Sequence, residues 1–557
     1  MNLNSKYWWQ YLIPLIFLGL FFFLPLAAIF LKAIQSASPG WITSATQITR
    51  PLGFTIFQAI LSLALTLLVG LPAAYIFSHF KFWGSTTLQV IIMLPFILPT
   101  VIVAAGFNAL VGPNGWLNLL LMGIFKFSTA PIQFLGTFGA ILAAHVFYNT
   151  TIVVRVVGGA WKELNQKYEQ AGKVLGANPK QLFREVTFPL LLPALLSASL
   201  LVFIFDFTSF GVILLLGGPA FSTLETEIYT QSTILLNLPL AGILSVIQLA
   251  CTLVMTILVA QISNKNSFTA VAKVINDTST KVKGFLNRFV VAAYSILLSL
   301  FFGAPIISLV LRSFLGQNQT SGAGFSPLTL AYYKELFINR QNSLFYVPPI
   351  TAVLNSLLFA TATTVIAILM GLFSTYALNK NYKATRILDP ILMLPLGVSA
   401  VTLGLGFVVS FGQLPEALTI FPFLIPIVHS LVAFPFVVRI LQPALAGIPD
   451  SLHSAAVTLG ASPRKVFWQV DLPLLRRPLI IAALFAFAIS LGEFGATVFL
   501  ARPEFPTIPV AIYRFLSQPG ALNYSESMAM ATILMVLCVI CILGMELLGS
   551  KKSETPG

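Results

Sequence analysis

Glu169-Gln170-Ala171-Gly172-Lys173-Val174-Leu175-Gly176-Ala177-Asn178-Pro179 returns later in the chain as His453-Ser454-Ala455-Ala456-Val457-Thr458-Leu459-Gly460-Ala461-Ser462-Pro463, displaced by 284 residues (460 − 176). The same displacement carries His145 to His429, Arg155 to Arg439 and Phe183 to Phe467. It carries Val186 to Val470, Pro189-Leu190-Leu191 to Pro473-Leu474-Leu475, Phe210-Gly211 to Phe494-Gly495, and Tyr229 to Tyr513. A register that runs without a gap from 145 to 229 marks an internal duplication. Upstream, Leu94-Pro95 meet Leu394-Pro395 at 300, and Gly70 and Tyr75 meet Gly371 and Tyr376 at 301. The loop after the third apolar run is therefore about 16 residues (300 − 284) shorter in the second half.

The surroundings of the repeated stretch are apolar. Of 557 residues, 57% are hydrophobic and only 9% charged, and the mean hydropathy is +0.92. Soluble domains carry about 25% charged residues, so soluble enzymes, disordered chains and nucleic-acid binders are excluded, and no nucleic-acid partner is expected. The predicted fold class is all-α: a polytopic membrane protein. A spanning helix needs about 20 mostly apolar residues. Twelve runs qualify: 11–31, 54–78, 88–111, 133–155, 190–216, 240–262, 289–311, 350–378, 387–411, 419–440, 474–500 and 527–548. The first is longer than the core of a signal peptide and reads as an uncleaved span.

With the N-terminus placed inside, the inner segments hold 23 Lys and Arg and the outer segments 8. Basic residues favour the cytoplasmic side, so both termini are expected there and the net charge of +14 reports orientation. The organisation predicted is a first six-span repeat over 1–262, a polar cytoplasmic linker over 263–288, and a second six-span repeat over 289–557. An even number of spans per repeat makes the two parallel, about an axis along the membrane normal, with a pathway on that axis.

The repeated stretch lies in an inner loop, at about 160–188 and 444–472. It reads as a short helix with small residues on one side, a turn at Gly176 and Gly460, then a second helix begun by Asn178-Pro179 and Ser462-Pro463. Phe183 and Phe467 give that second helix an apolar face. One such loop could lie on the headgroups; two copies favour docking of another protein.

These residues resemble the E-A-A-x₃-G-x₉-I-x-L-P signature of permeases in binding-protein-dependent ABC importers. Gly176 and Gly460 take the glycine position, Val186 and Val470 the Ile, Pro189 and Pro473 the Pro. The signature's Glu is replaced by Gln170 (preceded by Glu169) and by Ser454. Two fused halves, and Phe-Gly segments followed by Gly-Gly-Pro and Thr-x-x-x-x-Ile-Tyr, resemble the ferric-iron and thiamine permeases. The resemblance implies a non-catalytic subunit in a bacterial inner membrane. It implies two ATPase subunits that bind ATP and Mg and dock on Glu169, Gln170, Ala171, Gly172, Gly176 and Pro179 in one loop. The matching set in the other loop is Ser454, Ala455, Ala456, Gly460 and Pro463. It also implies an extracytoplasmic binding protein that delivers the cargo.

Two acids lie deep in apolar runs: Asp206 and Glu493. A charge at such depth costs about 2.5–3.5 kcal/mol, so both are candidates for the pathway, with Ser209, Phe210, Ser490 and Phe494 as their counterparts and neighbours. In the repeat frame Asp206 matches Ser490 and Glu493 matches Ser209, so the acids sit three residues apart. The alternative is a structural acid bonded to a neighbouring helix. His145 and His429 read as hydrogen bonders between helices. If the acids face the pathway they favour a cationic cargo, ferric iron or thiamine, which Phe205, Phe207, Phe210 and Phe494 could assist. An oxyanion cargo remains an alternative. The chain has no G-x-x-x-x-G-K-[ST], H-E-x-x-H or G-x-S-x-G, so no catalytic or metal site is expected. Cys538-x-x-Cys541 alone cannot fill a zinc site. A proton-driven transporter using the two acids, and an intramembrane enzyme using them, are the competing readings.

Overall fold

The computed structural model describes residues 9–35, 45–164, 171–172, 174–265, 280–315, 328–339, 347–380, 382–412 and 422–550. Among these, ten helices are long and apolar enough to cross a membrane, and two sharply bent helix pairs raise the number to twelve if each is one span. In chain order the first repeat contributes α1 (Tyr11–Ile34), α2 (Ala45–His79), α3 (Ser85–Ile97), α4 (Thr100–Val111), α5 (Trp116–Phe125), α6 (Phe138–Glu163), α7 (Pro179–Phe207), α8 (Leu224–Tyr229) and α9 (Leu238–Lys265). The second contributes α10 (Phe285–Phe314), α11 (Ala331–Glu335), α12 (Thr351–Lys380), α13 (Tyr382–Met393), α14 (Ala400–Phe411), α15 (Leu424–Ala446), α16 (Asp450–Thr458), α17 (Pro463–Gly492), α18 (Thr497–Leu500), α19 (Ile508–Ser517) and α20 (Ala521–Ser550). The only strands among the described residues are β1 (Phe80–Lys81) and β2 (Thr280–Lys281), paired in parallel.

The runs 88–111 and 387–411 are not single straight helices. The first bends by 113° between Phe96 and Thr100, the second by 95° between Gly397 and Ala400. Pro99 forces the extended backbone at Leu98 (ψ 137°). In the second repeat Leu394-Pro395-Leu396-Gly397 tightens to a 3₁₀ turn, and Ser399 restarts the helix by accepting from the Thr402 N–H. The runs 190–216 and 474–500 are also reset. α7 and α17 start earlier, at a proline, pass through a π-turn at Phe183–Thr187 and Phe467–Asp471, and stop at Phe207 and Gly492.

The chain divides into two compact units. One holds Pro39–Glu227 and Ala250–Pro327; the other holds Met1–Ser38, Ile228–Leu249 and Leu328–Gly557. The unit built on the first repeat therefore contains α10, the lead helix of the second, and the unit built on the second contains α1. The packing has the same basis in each. A Cβ on Gly106 of α4 would lie 3.0 Å from the Pro305 carbonyl oxygen of α10, and one on Gly406 of α14 would lie 2.9 Å from Pro25 Cβ of α1. Only glycine lets the lead helix approach that closely. In the unit built on the first repeat, α2 packs along α6 around Ala74, Val153 and Val157, with Val202 of α7. The other unit has a larger core in which α12, α15 and α17 bury Phe407, Phe434, Val437 and Ala486.

Candidate functional site

The repeated loop folds the same way in both copies, and the reason is local. In the second copy α16 ends at Thr458, and Gly460 adopts φ +80°. Gly460 N–H donates to Val457 O (2.9 Å) and Ala461 N–H to Ala456 O (2.9 Å), the paired bonds of a left-handed helix stop. In the first copy Gly176 has φ +83°, and Ala177 N–H donates to Gly172 O (3.0 Å). L-residues pay about 1–2 kcal/mol in that region, so the glycine makes the turn. The next helix then starts on a side-chain cap: Asn178 Oδ1 accepts from Gln181 N–H while Asn178 N–H donates to Gln181 Oε1, and Ser462 accepts from Lys465 N–H. Pro179 and Pro463 occupy the first turn, where no N–H is needed.

Of the proposed docking residues, Ala171, Gly176, Pro179, Ser454, Ala455, Gly460 and Pro463 are exposed, and Gly172 and Ala456 half-buried. Glu169 and Gln170 lie outside the described residues. The small residues do not all face outward: a Cβ on Gly172 would lie 2.6 Å from Leu182 Cδ1, so its smallness closes the hairpin on itself. What each loop offers outward is larger. Val174 and Leu175 are 87% and 86% exposed, Val457 and Leu459 64% and 87%.

The polar anchoring of the copies differs. In the second, His453 Nε2 lies 2.7 Å from Asp471 Oδ1, and Tyr376 donates its hydroxyl to Asp471 Oδ2 (2.7 Å). Asp471 is buried in the π-turn at the head of α17. In the first copy Thr187 stands at that position, and Tyr75 packs instead against His79 (4.3 Å) and Trp161 (5.3 Å).

A second repeated constellation lies in the apolar interior. His145 Nδ1 is 2.9 Å from Ser62 Oγ, and its Nε2 is 2.9 Å from Ser209 Oγ. His429 Nδ1 is 2.8 Å from Ser490 Oγ, and its Nε2 is 2.7 Å from Thr497 Oγ1. Each histidine thus ties its helix to others, as a hydrogen bonder between helices should. Each also has one acid and one serine drawn from the two matched positions. Asp206 lies on the Nδ1 side of His145 (3.4 Å), Glu493 on the Nε2 side of His429 (3.0 Å).

The two acids are bonded within their own units and are buried, at 0% and 8% exposure. Glu493 follows the end of α17 and accepts from the N–H groups of Ala496 (2.7 Å) and Thr497 (3.0 Å) and from the Thr497 hydroxyl. Asp206 accepts from Asn149 Nδ2 (2.6 Å) on one oxygen, while its Oδ2 has no partner among the described residues. Gln58 donates to the Asp206 carbonyl (2.7 Å). Phe210 and Phe494 are buried, and Phe494 packs on Tyr513 at 5.5 Å. Phe207 is buried and Phe205 half-exposed.

Sequence reasoning passed over Asn149, Gln58, Ser62 and Thr497. Asn149 carried a signal: it stands four residues after His145, on the same face of α6. Gln58 and Ser62 reach their partners from another helix, whereas Thr497 meets Glu493 four residues back and His429 across helices.

Comparison with known proteins agrees with the duplication. The family described as "Binding-protein-dependent transport system inner membrane component" matches residues 67–268 and again 363–551, once per repeat. "Thiamine transport system permease protein ThiP" of Brucella abortus (strain 2308) is 26% identical over 537 residues, covering 95% of this chain and 93% of that protein. The proteins of the same name from Escherichia coli (strain K12), 24% identical over 90% of this chain and 89% of that one, and Haemophilus influenzae, 26% identical over 94% and 93%, are similar throughout. The chain belongs to the inner-membrane components of binding-protein-dependent transport systems, as a fused, twice-repeated, multi-pass ABC importer permease.

Proposed function

We propose that this permease admits thiamine to the cytoplasm, on the energy of ATP hydrolysed by a separate ATPase. Two ATPase copies bind, one on each repeated loop, with both termini of the permease on the same, cytoplasmic, side. A binding protein delivers the cargo from the other face. The observation that carries docking is the pair of glycine-stopped hairpins that expose Leu175 and Leu459. Val174 with Leu175, and Val457 with Leu459, give each turn an exposed apolar pair of the kind a partner surface covers. Nucleotide-driven approach of the ATPases then moves the hairpins. Each hairpin leads through a π-turn directly into a long helix, α7 or α17, so movement at the loop is passed along that helix.

The names of the relatives support thiamine over ferric iron. The full burial of Asp206, the three hydrogen bonds that the Glu493 carboxylate accepts and its 3.0 Å approach to His429 support a role for these acids in holding His145 and His429. In that role Asp206, Ser209, Phe210, Ser490, Glu493 and Phe494 shape the pathway by setting where α7 and α17 end, without touching the cargo. The test is competition: labelled thiamine uptake by cells carrying the system should be suppressed by unlabelled thiamine and unaffected by ferric citrate or molybdate. Suppression by either of the latter would reassign the cargo.

A second reading rests on the two buried histidine–carboxylate pairs, which are the raw material of a proton relay. It predicts that uptake collapses with the proton gradient while ATP is held constant; the ATPase reading predicts that it persists.

A further inference from the structure

Tyr229 and Tyr513 occupy one position of the duplicated sequence, each closing the pattern Thr-x-x-x-x-Ile-Tyr, at 223–229 and 507–513. Both belong to the unit built on the second repeat, and there the two phenols share a side-chain hydrogen bond. The isoleucines before them, Ile228 and Ile512, are fully buried, and the tyrosines themselves half-buried. Residues at one position of two parallel repeats are carried onto each other by rotation about one axis. They can touch only where they stand beside that axis, and parallel repeats place the pathway there. Further rings flank the pair: Phe499 meets Tyr229 edge-on at 5.7 Å, and Phe494 lies 5.5 Å from Tyr513. Arg514, next along α19, has Tyr229 and Glu504 as electrostatic neighbours. A fixed cation beside the rings repels a cationic cargo, so the pair is a poorer seat for such a cargo than a barrier to it.

We propose that Tyr229 and Tyr513 seal the pathway: hydrogen-bonded they close it, and parted they open it. This role rests on the transport reading above and names the residues that bar the way. The link to the repeated loop is short. α17 begins at the second copy of that loop and ends at Gly492. Phe494, two residues on, packs against Tyr513. Glu493 holds the corner between them by accepting from the N–H groups of Ala496 and Thr497. A displacement of α17 along its length therefore reaches Tyr513 through a single ring contact. The net strength of one hydrogen bond is small, so the seal can be broken and remade in every cycle.

The purified full-length permease is reconstituted into liposomes without ATPase or binding protein. Efflux of trapped labelled glucose and, separately, of trapped labelled thiamine is followed. The wild-type chain should be tight to both. Tyr229→Phe with Tyr513→Phe keeps the rings and removes the hydroxyl bond. Efflux should then rise about fivefold, the weight of one hydrogen bond in the closed-to-open ratio. Tyr229→Ala with Tyr513→Ala should leak faster still. Phe436→Ala breaks a comparable aromatic pair within the second repeat, Phe436 with Phe485 at 5.3 Å, and should stay tight. A leaky wild-type chain, no rise with Tyr229→Phe and Tyr513→Phe, or an equal rise with Phe436→Ala would each overturn the proposal. Glucose is not the cargo, so a wrong cargo assignment leaves this result readable. A failed seal, in turn, leaves the competition between thiamine and ferric citrate untouched.

Discussion

The two copies of the repeated loop share a shape and differ in what fastens it. Both stop a helix on a glycine at φ near +80°, both restart on a capped proline, and both expose a leucine. Among the described residues, it is the second whose first helix is tied to the body through a buried carboxylate, with His453 and Tyr376 converging on Asp471. On the docking proposed above, the two loops keep one backbone geometry where the ATPase would read it, while the side chains behind that surface differ. The histidine centres show the same pattern: one imidazole each, with one acid and one serine from the two matched positions, and the acid moved to the opposite ring nitrogen.

The largest effect expected is from the shared feature. Gly176→Asp with Gly460→Asp should leave the chain inserted but abolish uptake and ATPase binding. No atom lies within 4 Å of a Cβ at either glycine, so the change adds backbone strain and a charge beside Leu175 and Leu459 without a clash in the fold. Normal uptake by the double variant would remove docking from the account. The single variants come next and probe the difference. Since the second loop has its own anchor, Gly176→Asp should impair uptake more than Gly460→Asp; equal rates would mean that the Asp471 anchor does not matter to coupling. Asp471→Ala tests that anchor directly. It strips His453 and Tyr376 of a shared acceptor and should cost about 1–3 kcal/mol in thermal or denaturant unfolding, more than Thr187→Ala in the first copy. The smallest contrast lies in the histidine centres. Thr497→Ala removes a bond to His429 and another to Glu493, whereas Ser209→Ala removes one bond to His145. The Ser209 change should cost about 0.5–1.5 kcal/mol and the Thr497 change more. A reversed order would show that the two centres are not equivalent in the way their geometry suggests.

What could be read from the sequence was what is local. Gly176 and Gly460, followed by Asn178-Pro179 and Ser462-Pro463, dictate a stop and a restart within a few residues, and the structure has both. Apolar runs report spans because the bilayer imposes length. The exchange of lead helices was hidden: it depends on Gly106 meeting Pro305 and Gly406 meeting Pro25, contacts between residues about 200 and 380 apart in the chain (305 − 106 and 406 − 25). The bends near Pro99 and Ser399 were not read from the sequence, because the runs 88–111 and 387–411 are long and apolar enough to pass as single spans. Asp206 and Glu493 were visible as acids in apolar runs, yet their partners were not. Ser62 and Asn149 reach His145 and Asp206 from other helices, and hydropathy carries no signal for which hydroxyl or amide meets which imidazole or carboxylate.

Reconstitution tests the central claim most directly. The purified permease, its ATPase and its binding protein are placed in proteoliposomes, and labelled thiamine is measured inside with ATP present and no ion gradient. The account predicts accumulation that requires ATP, the ATPase and the binding protein, and that disappears when the permease carries Gly176→Asp and Gly460→Asp. Accumulation without the ATPase, driven by an imposed proton gradient, would contradict it.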